Sequence, residues 1–159
     1  MVKQTFGRLA ILVNNAAVAD FGLLAEAHFS RWPRAMNTNI DCVFLMSQAC
    51  LALFSTRGGA IVNIALNSGL RASTLRIAYG TFKVAVIHLT KQQGAELGEV
   101  GIRANYAGPV DTKLTLAVDS SERRAAYHDA MPLTRYGSKR KIAHVFCFLV
   151  SDRASYVTR

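Results

Sequence analysis

Three short apolar runs, LAILVN at 9–14, AIVNIAL at 60–66 and the weaker IRANY at 102–106, are set apart by stretches long enough to hold a helix. Runs of this length read as strands. Residues 30–54, between the first two runs, carry a helical pattern. Ser30 is placed to cap its N-terminus, and Pro33 falls in the first turn, where a missing N–H is tolerated. Between the second and third runs, Ala78, Phe82, Ala85, Val86 and Leu89 recur at helical spacing. The spacing predicts a helix over 77–97, stopped by Gly98 and Gly101. Strand, helix, strand, helix, strand implies parallel strands joined by right-handed crossovers, and so an α/β chain. Two more helices are expected at about 120–130 and 138–150. In such a sheet ligands bind beyond the carboxyl ends of the strands, which directs attention to loops 14–22, 66–76 and 106–114.

Composition narrows the class. The chain has 159 residues, 51% hydrophobic and 18% charged. That suits one globular domain with a real core and argues against disorder. No apolar run is long enough for a transmembrane helix, and the N-terminus lacks the cleavage pattern of a signal peptide. Cys42, Cys50 and Cys147 show no paired spacing, so the expectation is reduced thiols buried as small hydrophobes in a cytoplasmic protein. The net charge is +9. Apart from Lys139-Arg140-Lys141 the basic residues are scattered, without interleaved aromatics. This favours a solvated basic surface over a nucleic-acid site. No metal-ligand pattern occurs.

Tyr79 and Lys83 are four residues apart in YGTFK, hence on one face of the second helix. They follow directly on the loop at the carboxyl end of the second strand. An ammonium beside a phenol stabilises the phenolate. A tyrosine tuned that way can give a proton to a carbonyl oxygen or take one from an alcohol. The same spacing also occurs on ordinary solvated helix faces, and spacing alone does not choose between the two.

The surrounding residues supply context. LVNNAA at 12–17, Asn39 within NTNIDCVFLMSQA, IVNI at 61–64, YGTFK at 79–83, ELGEVGIRAN at 96–105 and GPVDT at 108–112 occur in this order, followed by PLTRYG and FLVSDRASYVT. Together they resemble the short-chain dehydrogenase/reductase family over nearly the whole chain. The resemblance implies a partial Rossmann-type doubly wound parallel sheet, with three core strands and flanking helices, in a single truncated domain over 1–159. It implies an oxidoreductase that moves hydride between NAD or NADP and a carbonyl/alcohol pair on a small-molecule substrate. Tyr79 would be the acid/base. Lys83 would lower its pKa and hold the nicotinamide ribose, and Asn39 would anchor a water in a proton relay. Asn14 would fix the sheet beside the cofactor, and Val110 and Thr112 would contact the nicotinamide amide. Helices 38–54 and 78–97 would pair the chain into a homo-oligomer.

The chain also departs from that pattern. The family's serine thirteen residues before the tyrosine is Leu66 here, and Ser68 lies two residues further on. Losing one such donor can remove about 2.7–4 kcal/mol of transition-state stabilisation. No glycine-rich TGxxxGxG turn precedes LAILVN. GAELGEVG at 94–101 follows a helix and reads as that helix's C-terminus. A second expectation therefore stands beside the enzyme: a non-catalytic remnant or interaction module. Without a preceding strand the edge of LAILVN would be exposed, and the chain oligomeric or marginally stable.

Overall fold

The computed structural model describes residues 2–54, 57–65, 69–70, 72, 74–108, 133–135 and 137–158. The apolar runs form three parallel strands, β1 (Ile11–Asn14), β2 (Gly59–Ile64) and β3 (Ile102–Ala107). They lie side by side in that order. Leu12 pairs with Ile61 and Ile61 with Ala104, so Asn14, Asn63 and Tyr106 stand in one rank near the carboxyl ends. The run IRANY is no weaker in the sheet than the others. It extends to Ala107 and matches β2 residue for residue. Its polar residues have a reason, because Arg103 and Asn105 share one face and bond the C-terminal segment there.

The first helical stretch is interrupted. A 3-10 turn at Phe29–Arg31 contains Ser30, so Ser30 is not the cap. Helix α1 is the short Val2–Phe6, which the apolar pattern does not announce. Helix α2 (Trp32–Met36) follows the 3-10 turn, with Pro33 in its opening turn. A π turn, Asn37–Asp41, then leads into α3 (Cys42–Leu51). The helix stops short of residue 54 because the chain turns back to β1: Leu9 N–H donates to the Leu53 carbonyl at 2.8 Å. Helix α4 (Ile77–Leu97) has the predicted bounds, and a 3-10 turn carries the chain to Gly101 at φ +74°. Gly58, at φ +76°, lies against it, and a Cβ there would run into the Gly101 carbonyl. Only glycine fits a left-handed residue at so close an approach. Helix α5 (Lys139–Val150) begins at Ser138, whose Oγ accepts from the Lys141 N–H at 3.4 Å. The helix expected at 120–130 lies outside the described residues.

Side chains alternate across the sheet. Leu12, Ile61, Ile102 and Ala104 face α3 and α4 and pack with Cys50. Val43, Ala65, Val86 and Ile87 make a second cluster nearer the carboxyl ends. The opposite face carries α5. Arg103 reaches its C-terminus and donates to the carbonyls of Leu149 (2.6 Å) and Ser151 (3.1 Å), where a cation suits the helix dipole. Helices on both faces make this a partial doubly wound sheet. On the α5 side of β1, Ile11 and Val13 are 41% and 47% exposed, and no described strand pairs with the other edge of β1. Of the cysteines only Cys50 is buried; Cys42 and Cys147 are exposed free thiols, contrary to the expectation. Both sit on helices whose outer faces lie open. Among the described residues no helix is long and apolar enough to cross a membrane.

Candidate active site

Helix α4 starts at the carboxyl end of β2 and brings Tyr79 and Lys83 to it on one face. Both are buried, at 6% and 4% exposure, so this is not a solvated helix face. Lys83 Nζ donates to the Ile64 carbonyl at 2.6 Å, tying α4 to the last residue of β2. That is its only hydrogen bond among the described residues. An ammonium has three protons to give, so a buried cation here retains donors for a ligand. Its nitrogen lies 5.7 Å from the centre of the Tyr79 ring and 5.3 Å from that of Phe82. The Tyr79 ring packs against Phe21 (5.2 Å) and Phe82 (4.9 Å).

Burial sets the protonation states. It raises the Tyr79 pKa above 10.0, and the positive charge of Arg76 works against that rise. Arg76 thus places a positive charge beside the phenol in addition to that of Lys83. Burial also lowers Lys83 from 10.5 to about 8. Below pH 8 both folded and unfolded chains hold the lysine proton, and the folded state bears the whole cost of the buried charge. Between pH 8 and 10.5 the unfolded chain binds more protons, so stability rises with pH. Tyr79 acts in the reverse sense above pH 10, where the unfolded phenol ionises first. Urea unfolding midpoints are therefore expected to climb from pH 8 towards 10, and Lys83→Met to flatten the climb. A climb of equal size in Lys83→Met would refute this assignment.

Asn39 sits in the π turn, and both protons of its side-chain amide are used. Nδ2 donates to the carbonyls of Val18 (2.8 Å) and Ala35 (2.7 Å), and Oδ1 accepts from the Val18 N–H at 3.2 Å. It therefore clips loop 14–22 to the helices. Asn14 donates to Asn63 Oδ1 at 2.8 Å and to Ser47 Oγ at 3.3 Å. Asn63 in turn donates to Thr90 Oγ1 and Gln93 Oε1, each at 2.8 Å, and Gln93 donates to Ser47 at 2.9 Å. This buried amide network binds β1, β2, α3 and α4 together beneath the site. Sequence reading found Asn14 and missed Asn63, although a polar residue inside AIVNIAL was a signal. It also missed Phe21 and Arg76, for which no pattern existed. Val110, Thr112, Leu66 and Ser68 lie outside the described residues.

Two cavities flank the start of α4. The larger, about 490 Å³, is walled by Leu24, Leu70, Arg76, Thr81 and Val84. The smaller, about 150 Å³, lies among Phe21, His28, Trp32 and Ala78. Neither is lined by Tyr79 or Lys83. No group of three or more metal-ligating side chains occurs among the described residues.

A family model described as enoyl-(acyl carrier protein) reductase matches residues 1–159. A mutant of a Serratia marcescens short-chain dehydrogenase/reductase shares this fold with a TM-score of 0.88 and 31% identity, over 98% of this chain and 64% of that one. The chain belongs to the short-chain dehydrogenase/reductase family. Among its relatives is 2-(S)-hydroxypropyl-CoM dehydrogenase 3 of Xanthobacter autotrophicus, 36% identical over 98% of this chain and 64% of that protein. Another is the 3-oxoacyl-[acyl-carrier-protein] reductase FabG of Thermotoga maritima, 33% identical over 99% of this chain and 65% of that protein. The chain thus spans about two thirds of the length of these relatives. For a short-chain dehydrogenase/reductase the fit to a dinucleotide divides in two. The buried Lys83 ammonium at the end of β2 suits the ribose of the nicotinamide half. For the pyrophosphate half these 159 residues contain no glycine-rich turn.

Proposed function

We propose that this chain carries the proton-transfer half of an NAD(P)-dependent oxidoreductase site acting on a carbonyl/alcohol pair. The observation that carries the reading is the buried Tyr79–Lys83 pair, with Lys83 fixed to the Ile64 carbonyl. The nicotinamide, when bound, supplies or accepts the hydride at the substrate carbon. Tyr79 gives its Oη proton to the substrate oxygen in reduction and becomes a phenolate; in oxidation it takes the proton back. Lys83 holds the ribose, with Val110 and Thr112 contacting the nicotinamide amide as the family resemblance implies. Asn14 and Asn39 keep the β1 loop in place beside the site, and Asn39 would anchor a water in the proton relay as the family resemblance implies. The substrate is a small carbonyl or alcohol compound, and residues 1–159 make up a single truncated domain of the family's fold.

Titration with NADH and NADPH, read by nicotinamide fluorescence, tests this directly. Saturation in the micromolar range is expected. No binding up to millimolar cofactor, in a sample whose fold is confirmed, would refute it.

A second reading is favoured by Leu66 in place of the family's serine and by the exposed Phe44, Leu45 and Met46 on α3 and Val84 on α4. On that reading the chain is a non-catalytic module that pairs through helices 38–54 and 78–97. Pairing without cofactor binding would select it; pairing together with binding would leave the enzyme a homo-oligomer.

A further inference from the structure

Arg76 stands at the mouth of α4, three residues before Tyr79. Its guanidinium lies 5.3 Å from the centre of the Phe21 ring and 5.5 Å from that of Tyr79. The two rings are themselves in contact at 5.2 Å, so the cation rests on an aromatic pair. The backbone fixes this arrangement. Gly22 and Arg76 form a parallel bridge, and the Gly22 N–H donates to the Leu75 carbonyl at 3.1 Å. Leu75 adopts φ +63°, a left-handed conformation that a branched side chain rarely takes and that surrounding structure must enforce. The Arg76 carbonyl then accepts the first hydrogen bond of α4, from the Gly80 N–H at 2.6 Å. Arg76 itself is 9% exposed, so its charge is poorly screened by solvent.

We propose that Arg76 is a positioning residue for Tyr79: seated on Phe21, its guanidinium holds the phenol ring in place and provides the positive charge that a phenolate there requires. The inference rests on the reading of Tyr79 as the acid/base. Other charged groups belong to the elements around the ring: Asp20 in loop 14–22, Arg34 on α2, Asp41 in the π turn and Lys83 on α4. Asp20 is engaged by Arg31 at 3.1 Å, and the Lys83 ammonium is directed at the Ile64 carbonyl. The Arg76 charge acts on the Tyr79 ionisation in the sense that opposes burial. Cations over aromatic faces are attracted most where both are desolvated, so the stack and the charge effect reinforce each other.

The test is a spectrophotometric titration of tyrosinate in the 159-residue chain, with Tyr79→Phe subtracted to isolate the one phenol among the chain's 5 tyrosines. Arg76→Met is expected to move the Tyr79 midpoint to higher pH, and Arg76→Lys to restore most of the shift. An unchanged midpoint in Arg76→Met, or a midpoint in Arg76→Lys as high as in Arg76→Met, would overturn the proposal. Should Arg76→Met lose its circular dichroism signal, Phe21→Leu keeps every charge and removes the seat. It is expected to raise the midpoint by less, and no movement there would overturn the proposal equally. The titration needs neither cofactor nor substrate. Failure of the oxidoreductase reading would appear in cofactor binding with this midpoint shift intact, and failure of the Arg76 role as the converse.

Discussion

Tyr79→Phe is expected to reduce the rate of carbonyl reduction about 10²–10⁴-fold, the usual contribution of a positioned proton donor. The substitution removes one oxygen and leaves the ring contacts with Phe21 and Phe82, so the fold should stay intact. The ring is buried and its pKa lies above the ordinary value, which keeps the phenol protonated at neutral pH. A protonated phenol is the form that reduction uses, because the substrate oxygen must receive a proton as the carbon receives hydride. Oxidation uses the phenolate and should therefore quicken as pH rises, while reduction slows. The measurement is loss of reduced-nicotinamide absorbance across pH, in parent and variant, with any carbonyl compound that the parent turns over. Equal rates in the two proteins would remove Tyr79 from the mechanism.

The second large effect is on stability. Asn63→Ala should destabilise the chain by roughly 3–5 kcal/mol, since it removes three hydrogen bonds at once and takes the donor from Gln93 Oε1, while Thr90 keeps Val86 and Asn14 keeps Ser47. Asn63 is fully buried and central in the sheet. Its Oδ1 accepts from Asn14, and its Nδ2 serves both Thr90 and Gln93. Each partner left unpaired costs about 1–3 kcal/mol. Thr90→Ala removes one member and leaves Asn63 with Gln93, so it should cost distinctly less. Urea unfolding of the three proteins measures the difference. A loss below about 1 kcal/mol in Asn63→Ala would mean that water repairs the network and that it does not lock β1 and β2 to the helices.

Much of this was open to reading from the chain. Helix α4 was predicted at about 77–97, where it lies, because its apolar spacing and its terminal glycines agree. The strands were found because parallel strands in an α/β sheet are short apolar runs, and β2 is buried on both faces. The first helix was misread at its start. Ser30 has the chemistry of a cap, but the chain enters through a 3-10 turn and Pro33 opens α2. The interruption at Asn37–Asp41 left no mark in the hydrophobic spacing, although it is where Asn39 is turned towards Val18. Tyr79 and Lys83 were identifiable by spacing and by resemblance, whereas the additional positive charge of Arg76 beside the phenol was not.

The sequence by itself determined the order of strands and helices, the parallel sheet and the face of α4 that bears Tyr79 and Lys83. Those properties follow from local periodicity, and periodicity is written in neighbouring residues. Only the tertiary structure decided what surrounds that face. Arg76 meets Phe21 because a bridge between two loops far apart in sequence brings them together. Asn63 joins Asn14, Thr90 and Gln93 because three elements converge beneath the strand ends. Burial raises one pKa and lowers the other, and burial belongs to the packed whole rather than to any stretch of the chain.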